Sequence, residues 1–266
     1  MRMKRQIALF SGLLLFGLGL SSTGWFRAEE MPGTKWNKNT LLSEVLEELG
    51  DEAPNHKPKD YSPELAQKGK EIFYTGVTTG PDGKKTRLQS RHFVCTNCHN
   101  AEREDPDLRI SDPDTRLDYV IDNRLPFLPA TTMYGTYNKR SWYNDDFLKK
   151  YGDLVKPAYK SLEYAVHLCA TVCSQGRDFS DWEMQAVLSY YYSIQYKLGD
   201  LDLSDSEWDM LLGAQGKGAN PKFVDGLKTF YRSGSPATFG EAPEDKGEGY
   251  EVERTPDAHR GELLYN

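Results

Sequence analysis

Two cysteines and a histidine lie within five consecutive residues, in the run Cys95-Thr96-Asn97-Cys98-His99. The spacing Cys-x-x-Cys-His is the pattern of covalent c-type haem attachment. The two thiols can form thioethers with the vinyl groups on one porphyrin edge, and the histidine that follows can give an imidazole nitrogen to the iron. We therefore predict one covalently bound haem c, attached to Cys95 and Cys98, with His99 as the proximal iron ligand.

Two other chemistries use cysteines at this spacing. A structural zinc site requires four ligands, and the later pair Cys169 and Cys173 could supply two of them. A thioredoxin-like redox pair opens a helix within a βαβ unit, and the sequence has no pattern of that kind. The immediate histidine and an export signal at the start of the chain favour haem over both.

Residues 1–28 are typical of an export signal. Arg2, Lys4 and Arg5 are followed by an apolar run over residues 7–20, which is short for a membrane span. Small residues after this run allow cleavage, and an uncleaved anchor is the alternative. We expect an exported protein, either periplasmic or anchored to the membrane facing the periplasm.

The chain is acidic. It has 33 basic and 40 acidic residues, which gives a net charge of −7. Residues 1–28 hold four of the basic residues and none of the acidic ones, so the remainder carries −11. This charge argues against nucleic acid and anionic lipid as partners, because both are negative. It suits a basic redox protein as partner, and simple solubility explains it equally well.

A well-marked helix begins at Ser62, which can cap it, with Pro63 at the first helical position. Gly69 lies in its interior, where glycine costs about 1 kcal/mol against alanine. Such a glycine predicts that another element approaches the helix closely. The helix leads into the haem motif.

The predicted partner of that helix lies downstream. It begins with a capping box formed by Ser180 and Glu183, carries an apolar stripe, and is predicted to end at Gly199. A first and a last helix that cross beside a haem resemble the cytochrome c domain. The resemblance implies an all-α fold, with a cytochrome c-like haem domain over residues 62–198 and no significant β-sheet.

The rest of the chain is predicted to be arm, loop and linker. An N-terminal arm over residues 29–61 carries one short helix capped by Thr40. Residues 100–160 are mostly long loops, with a short helix after Asn144. Residues 199–256 form one helix, capped by Ser204, and a linker over residues 234–255.

The last ten residues repeat an earlier pattern. Within them, residues 257–265 match the spacing of residues 65–73, including the glycine. This predicts the start of a truncated second haem domain, and the alternative is a chance match over a short stretch.

A second cysteine segment, Cys169-x-x-x-Cys173-x-x-Gly176, lies on a helix predicted over residues 158–174. It resembles the Cys-x-x-x-(Ser/Cys)-x-x-Gly segment in haem domains of dihaem thiosulfate dehydrogenases and related sulfur-oxidising cytochromes. The resemblance covers about residues 62–198 and implies a distal thiolate iron ligand at Cys169. This sequence has one Cys-x-x-Cys-His motif where that group has two haem domains, and it lacks the basic residues usual before the segment.

Other residues are candidates for the distal ligand. Methionine is the commonest such ligand in c-type haems, and Met133 lies in a loop suited to presenting one. Cys173 and His167 are further alternatives. Cys169 and Cys173 could instead form a disulfide, although residues four apart on an α-helix give it an awkward geometry.

These observations lead to two hypotheses. The first is an exported cytochrome that transfers single electrons through its one haem. The second is the first haem domain of a thiosulfate dehydrogenase-like oxidoreductase, with Cys169 as iron ligand and substrate anchor. The first is favoured, because the sequence has no substrate-binding constellation beyond Cys169.

Overall fold

The computed structural model describes residues 36–144, 146–235, 257–259 and 261. These residues form eight α-helices: α1 (Leu42–Glu48), α2 (Pro63–Thr75), α3 (Pro113–Asp122), α4 (Asp146–Tyr151), α5 (Leu162–Leu168), α6 (Asp181–Ser193), α7 (Asp205–Ala214) and α8 (Pro221–Lys228). The only β-pairing in this part of the chain is three isolated bridges. The prediction of an all-α fold is therefore confirmed.

Two hydrophobic cores lie within the described residues. The first is formed by one face of α2, α5 and α6 together with Trp142, and the second joins α1 to α7 and α8. The second core includes Trp36, Tyr196 and Tyr231, each 5% exposed or less. The helix of the N-terminal arm thus packs with the two helices that follow residue 200. Residues 200–231 consequently contribute to a packed core, and the linker predicted over residues 234–255 lies almost wholly outside the described residues.

Helices α2 and α6 cross where the sequence places Gly69. A Cβ atom built on Gly69 would overlap the backbone carbonyl of Ala186 and lie 2.9 Å from the Cβ of Tyr190. Both helices begin as predicted, since Ser62 accepts a hydrogen bond from the Leu65 amide and the Ser180 capping box is formed. The predicted close approach at Gly69 is confirmed.

Helix α6 is shorter than predicted, because it ends at Ser193 and not at Gly199. After Ser193 the chain leaves the helix and hydrogen-bonds to the N-terminal arm. The Leu42 amide donates to the Tyr196 carbonyl over 2.9 Å. Gly199 lies against Lys38, whose carbonyl oxygen would be 2.8 Å from an added Cβ. This glycine therefore serves a close contact rather than a helix end.

Two other helix predictions need correction. The helix expected over residues 158–174 begins at Leu162, with Ser161 as its cap, and continues from Cys169 as a π-helical turn. Helix α1 has Leu41 at its N-cap position, with no side-chain cap from Thr40.

Helices α3 and α8 were not predicted. Each has a strong start signal, since the side chains of Asp112 and Asn220 cap them and a proline follows in both. Both helices are short, so their apolar patterns could not be distinguished from those of the neighbouring loops. The loop-rich character expected of residues 100–160 otherwise holds around α3 and α4.

Two predictions concern parts of the chain that the structure does not describe. The export signal over residues 1–28 lies outside the described residues, and so does most of the repeat over residues 257–266. None of the helices in the described part of the chain has the length and apolar character needed to cross a bilayer.

The crossing of α2 and α6 gives a test of the fold. We expect Gly69→Ala to lower the free energy of unfolding by about 3 kcal/mol or more, because the backbone of α6 leaves no room for the methyl group. The matched control is Gly226→Ala in α8, where nothing lies within 4 Å of the added Cβ. That variant should gain up to about 1 kcal/mol from helix propensity. Urea unfolding followed by circular dichroism measures both, and equal effects would contradict the crossing.

Candidate functional site

The Cys95-x-x-Cys98-His99 run folds as a tight turn. Cys95 begins a 3₁₀ turn that spans Cys95–Asn97, and its carbonyl oxygen accepts from the amides of Cys98 at 3.1 Å and His99 at 2.9 Å. The Asn97 side chain accepts from the Val94 amide over 2.7 Å, which closes the turn on itself. The turn therefore holds the two thiols and the imidazole close together without support from a long helix.

The imidazole of His99 is oriented by one hydrogen bond. Its Nδ1 lies 2.6 Å from the backbone carbonyl oxygen of Thr131, so Nδ1 carries the proton and donates. Burial lowers the pKa of His99, which favours the neutral ring. A neutral imidazole whose Nδ1–H is bound to a backbone carbonyl leaves Nε2 as a free electron-pair donor, the usual state of a metal-ligating histidine.

A buried ion pair fixes the chain segment that carries the Thr131 carbonyl. Arg116 of α3 donates to Glu104 over 2.7 Å, and the Glu104 side chain is fully buried. Glu104 also accepts from the Thr132 amide at 2.9 Å, and Arg116 donates to the Ala130 carbonyl at 2.8 Å. Arg116 thus holds the residue before Thr131, and Glu104 holds the residue after it.

Sequence reasoning did not find this ion pair. The capping signal at Asp112 would have located α3, and with it Arg116. No local pattern connects Arg116 to Glu104, because the contact depends on how the intervening loop folds.

The second cysteine segment forms a π-helical turn over Cys169–Cys173, with the Ser174 amide donating to the Cys169 carbonyl over 2.9 Å. Gln89, close before the haem motif, donates its side-chain amide to the Ala170 carbonyl over 2.9 Å. A Cβ atom on Gly176 would overlap Gln89. The close contact at Gly176 therefore fastens the turn to the stretch of chain that leads into the motif.

The four cysteines are free thiols and interact electrostatically. The hydrogen bond between Cys169 and Cys173 lowers the pKa of Cys173 and raises the pKa of Cys169. Cys95 and Cys98 also raise the pKa of Cys169, and burial raises the pKa of Cys95 to about 12. The structure thus brings Cys169 and Cys173 to the same region as the Cys-x-x-Cys-His turn.

Two tyrosines border this region. Tyr143 hydrogen-bonds to the Cys173 sulfur and has a φ of 53°, a backbone conformation uncommon for a bulky residue. Tyr191 of α6 is 3% exposed, and the charges of Cys95 and Cys169 add to the burial that raises its pKa. Two aromatic side chains therefore border the cysteine segments.

Met133 and His167 are held by separate contacts. The Met133 amide donates to the Asn100 carbonyl over 2.8 Å, and Met133 packs against the hydrophobic core that Cys95 also contacts. The Nδ1 of His167 lies 2.7 Å from a carboxylate oxygen of Asp178, and both side chains are partly exposed. The structure does not bring His167 to the haem motif.

The residues present fit a covalently bound haem better than the other two chemistries. Haem iron takes four ligands from the porphyrin and needs only one or two from the protein. Among the described residues, no three His, Cys, Asp or Glu side chains group together to hold a metal ion by themselves, as zinc requires. Cys95 begins a 3₁₀ turn rather than an α-helix, and its raised pKa is opposite to that of a thioredoxin-like thiol.

Apolar side chains next to both cysteine segments are open to solvent. Phe93 is 46% exposed two residues before Cys95, and Val172 is 47% exposed next to Cys173. A large flat apolar group bound between the segments would cover such side chains.

Comparison with protein-family models, curated proteins and solved structures finds no match to this chain.

The buried ion pair behind His99 gives a second test. Removing one partner leaves the other charge buried without compensation, so we expect Glu104→Gln to lower the free energy of unfolding by about 3–5 kcal/mol. The control is Asp107→Asn, which breaks the exposed pair with Arg109 and should leave stability nearly unchanged. Urea titrations of both variants measure the difference. A Glu104→Gln protein as stable as the control would show that the pair does not hold this segment.

Proposed function

We propose that this protein is an exported c-type cytochrome that transfers single electrons through one haem bound at Cys95 and Cys98. The observation that carries the proposal is the 2.6 Å hydrogen bond from His99 Nδ1 to the Thr131 carbonyl, within a Cys-x-x-Cys-His turn. It leaves Nε2 of a neutral imidazole for the iron. When bound, the haem would supply a ferric–ferrous couple.

The fold supports a cytochrome c-like haem domain over residues 62–198. Helices α2 and α6 come before and after the motif in sequence and pack closely at Gly69. Cys95 packs against the hydrophobic core that these two helices share with α5. The motif thus lies on the edge of a helical core, where one face of a bound haem would be shielded and one edge left near solvent.

We propose Cys169 as the distal ligand. Its electrostatic coupling to Cys95 and Cys98 supports a position near the bound haem. Met133 packs against the same hydrophobic core as Cys95 and is the alternative ligand. The carbonyls of Ala170 and Cys169 are held by Gln89 and Ser174, so the turn itself is fixed.

Export and partner are part of the same proposal. The charged and apolar pattern of residues 1–28 supports a protein that is periplasmic or anchored facing the periplasm. An electron carrier requires a redox protein as partner.

The second candidate is a sulfur-compound oxidoreductase, of which this chain would be a haem domain with Cys169 as ligand and substrate anchor. The contact of Gly176 with Gln89 favours it, since it gives a structural reason for the glycine in the segment that resembles thiosulfate dehydrogenases. Cys173 is exposed beside Cys169, so the turn is open to a small solute. The electron carrier is preferred because it requires only the haem and an accessible edge.

Haem attachment tests the proposal directly. The protein, produced with the haem-attachment machinery, should keep its colour through acid-acetone extraction and give the pyridine haemochrome spectrum of two thioethers. Cys98→Ala should retain one thioether and shift that spectrum, and Cys173→Ala should leave it unchanged. Extraction of all colour from the wild-type protein would exclude covalent haem.

The distal ligand is tested by Cys169→Met. A thiolate donates more charge to iron than a thioether, so the reduction potential should rise, within the roughly 0.8 V range that axial ligands cover. Met133→Ala is the control and should leave the potential nearly unchanged. Thiosulfate turnover, present in wild type and lost in Cys169→Met, would favour the enzyme over the carrier. A potential that changes with Met133 and not with Cys169 would contradict the assignment.

A further inference from the structure

A basic and apolar surface lies directly before the haem motif. We call it the basic strip and define it by six exposed side chains: Lys84, Lys85, Arg87, Leu88, Arg91 and Phe93. Leu88 and Phe93 are each 46% exposed, which is high for side chains of this size. The strip therefore combines positive charge with open apolar area, a combination that marks interaction surfaces.

The positive charges of the strip have no carboxylate partner among the residues that the structure describes. None of its four cations forms an ion pair with any carboxylate in the described part of the chain. The sequence from residue 83 to residue 101 contains four lysines and arginines and no acidic residue. The whole chain has a net charge of −7, so the strip is a local reversal of sign.

The backbone of the strip is held in place. After the turn at Gly83, which has a φ of 76°, the chain returns along the residues that follow α2. The Thr86 amide donates to the Thr78 carbonyl at 2.8 Å, and the Gln89 amide donates to the Gly76 carbonyl at 2.9 Å. The backbone of the strip is thus fixed, so it needs little ordering when a partner binds.

The strip is also joined to both cysteine segments. Phe93 lies two residues before Cys95, and the Ser90 hydroxyl donates to the Ser174 carbonyl over 2.6 Å. Charges interact strongly only within about 8–10 Å at physiological salt, so the four cations of the strip dominate the field close to their own side chains. Net charge alone favours a basic partner, whereas the local charge favours an acidic one.

We propose that the basic strip is the docking surface for a redox protein with an acidic face, which exchanges electrons with the haem bound at the adjoining turn. Leu88 and Phe93 form the apolar centre of the contact, and the four cations surround them. The acidic face of the partner is drawn to these cations, which raises the association rate. This inference rests on the proposed function.

The probe is a plant-type ferredoxin, a strongly acidic one-electron protein. Stopped-flow absorbance measures electron transfer from reduced ferredoxin to the haem-loaded ferric protein at increasing salt. We expect the second-order rate constant to fall as salt rises, and to fall at least about tenfold at low salt in the double variant Lys85→Glu/Arg87→Glu. The matched control is Lys217→Glu/Lys222→Glu, which makes the same charge change beside α7 and α8 and should stay within about twofold of wild type.

Three outcomes would overturn the inference. A rate constant that rises with salt would show that net charge governs docking, and equal effects of the two double variants would show that the strip has no special role. Sedimentation with phosphatidylglycerol vesicles that depends on Lys85 and Arg87, without a matching effect on electron transfer, would assign the strip to a lipid surface. A protein without covalent haem would overturn the proposed function as well, so the two failures are distinguishable.

Discussion

The candidate site depends on one hydrogen bond, from His99 Nδ1 to the carbonyl of Thr131. A backbone carbonyl can hold an imidazole only if its own segment is fixed, and the buried pair of Glu104 and Arg116 fixes it. A buried ion pair adds little net stability, but it specifies one arrangement because its alternatives leave a charge unpaired. The orientation of a single imidazole is thus set by residues that lie far from the cysteines in sequence.

The second constraint is the contact between the two cysteine segments. Gly176 allows the turn of residues 169–173 to approach Gln89, and the amide of Gln89 binds the carbonyl of Ala170. The same chain stretch continues into Cys95 and carries the basic strip. The segment over residues 84–95 therefore joins the Cys-x-x-Cys-His turn, the candidate distal cysteine and the basic strip. A change in the structure of one of these three would alter the positions of the other two.

The sequence was sufficient where chemistry is local. The start of α2, the capping box of α6 and the close approach at Gly69 follow from capping and the absence of a side chain. It was insufficient where contacts are distant. Local sequence patterns do not predict which distant segments contact each other. For this reason they did not predict the ion pair of Glu104 and Arg116, the second core or the π-helical turn.

The account stands on covalent haem at the Cys95-x-x-Cys98-His99 turn, and peptide mass spectrometry tests this most directly. After proteolysis of protein made with the haem-attachment machinery, the peptide that contains Cys95 and Cys98 should carry the mass of one haem, while Cys169 and Cys173 should remain free to react with iodoacetamide. Unmodified Cys95 and Cys98 that both take up iodoacetamide, or a peptide that carries only a disulfide between them, would contradict the account.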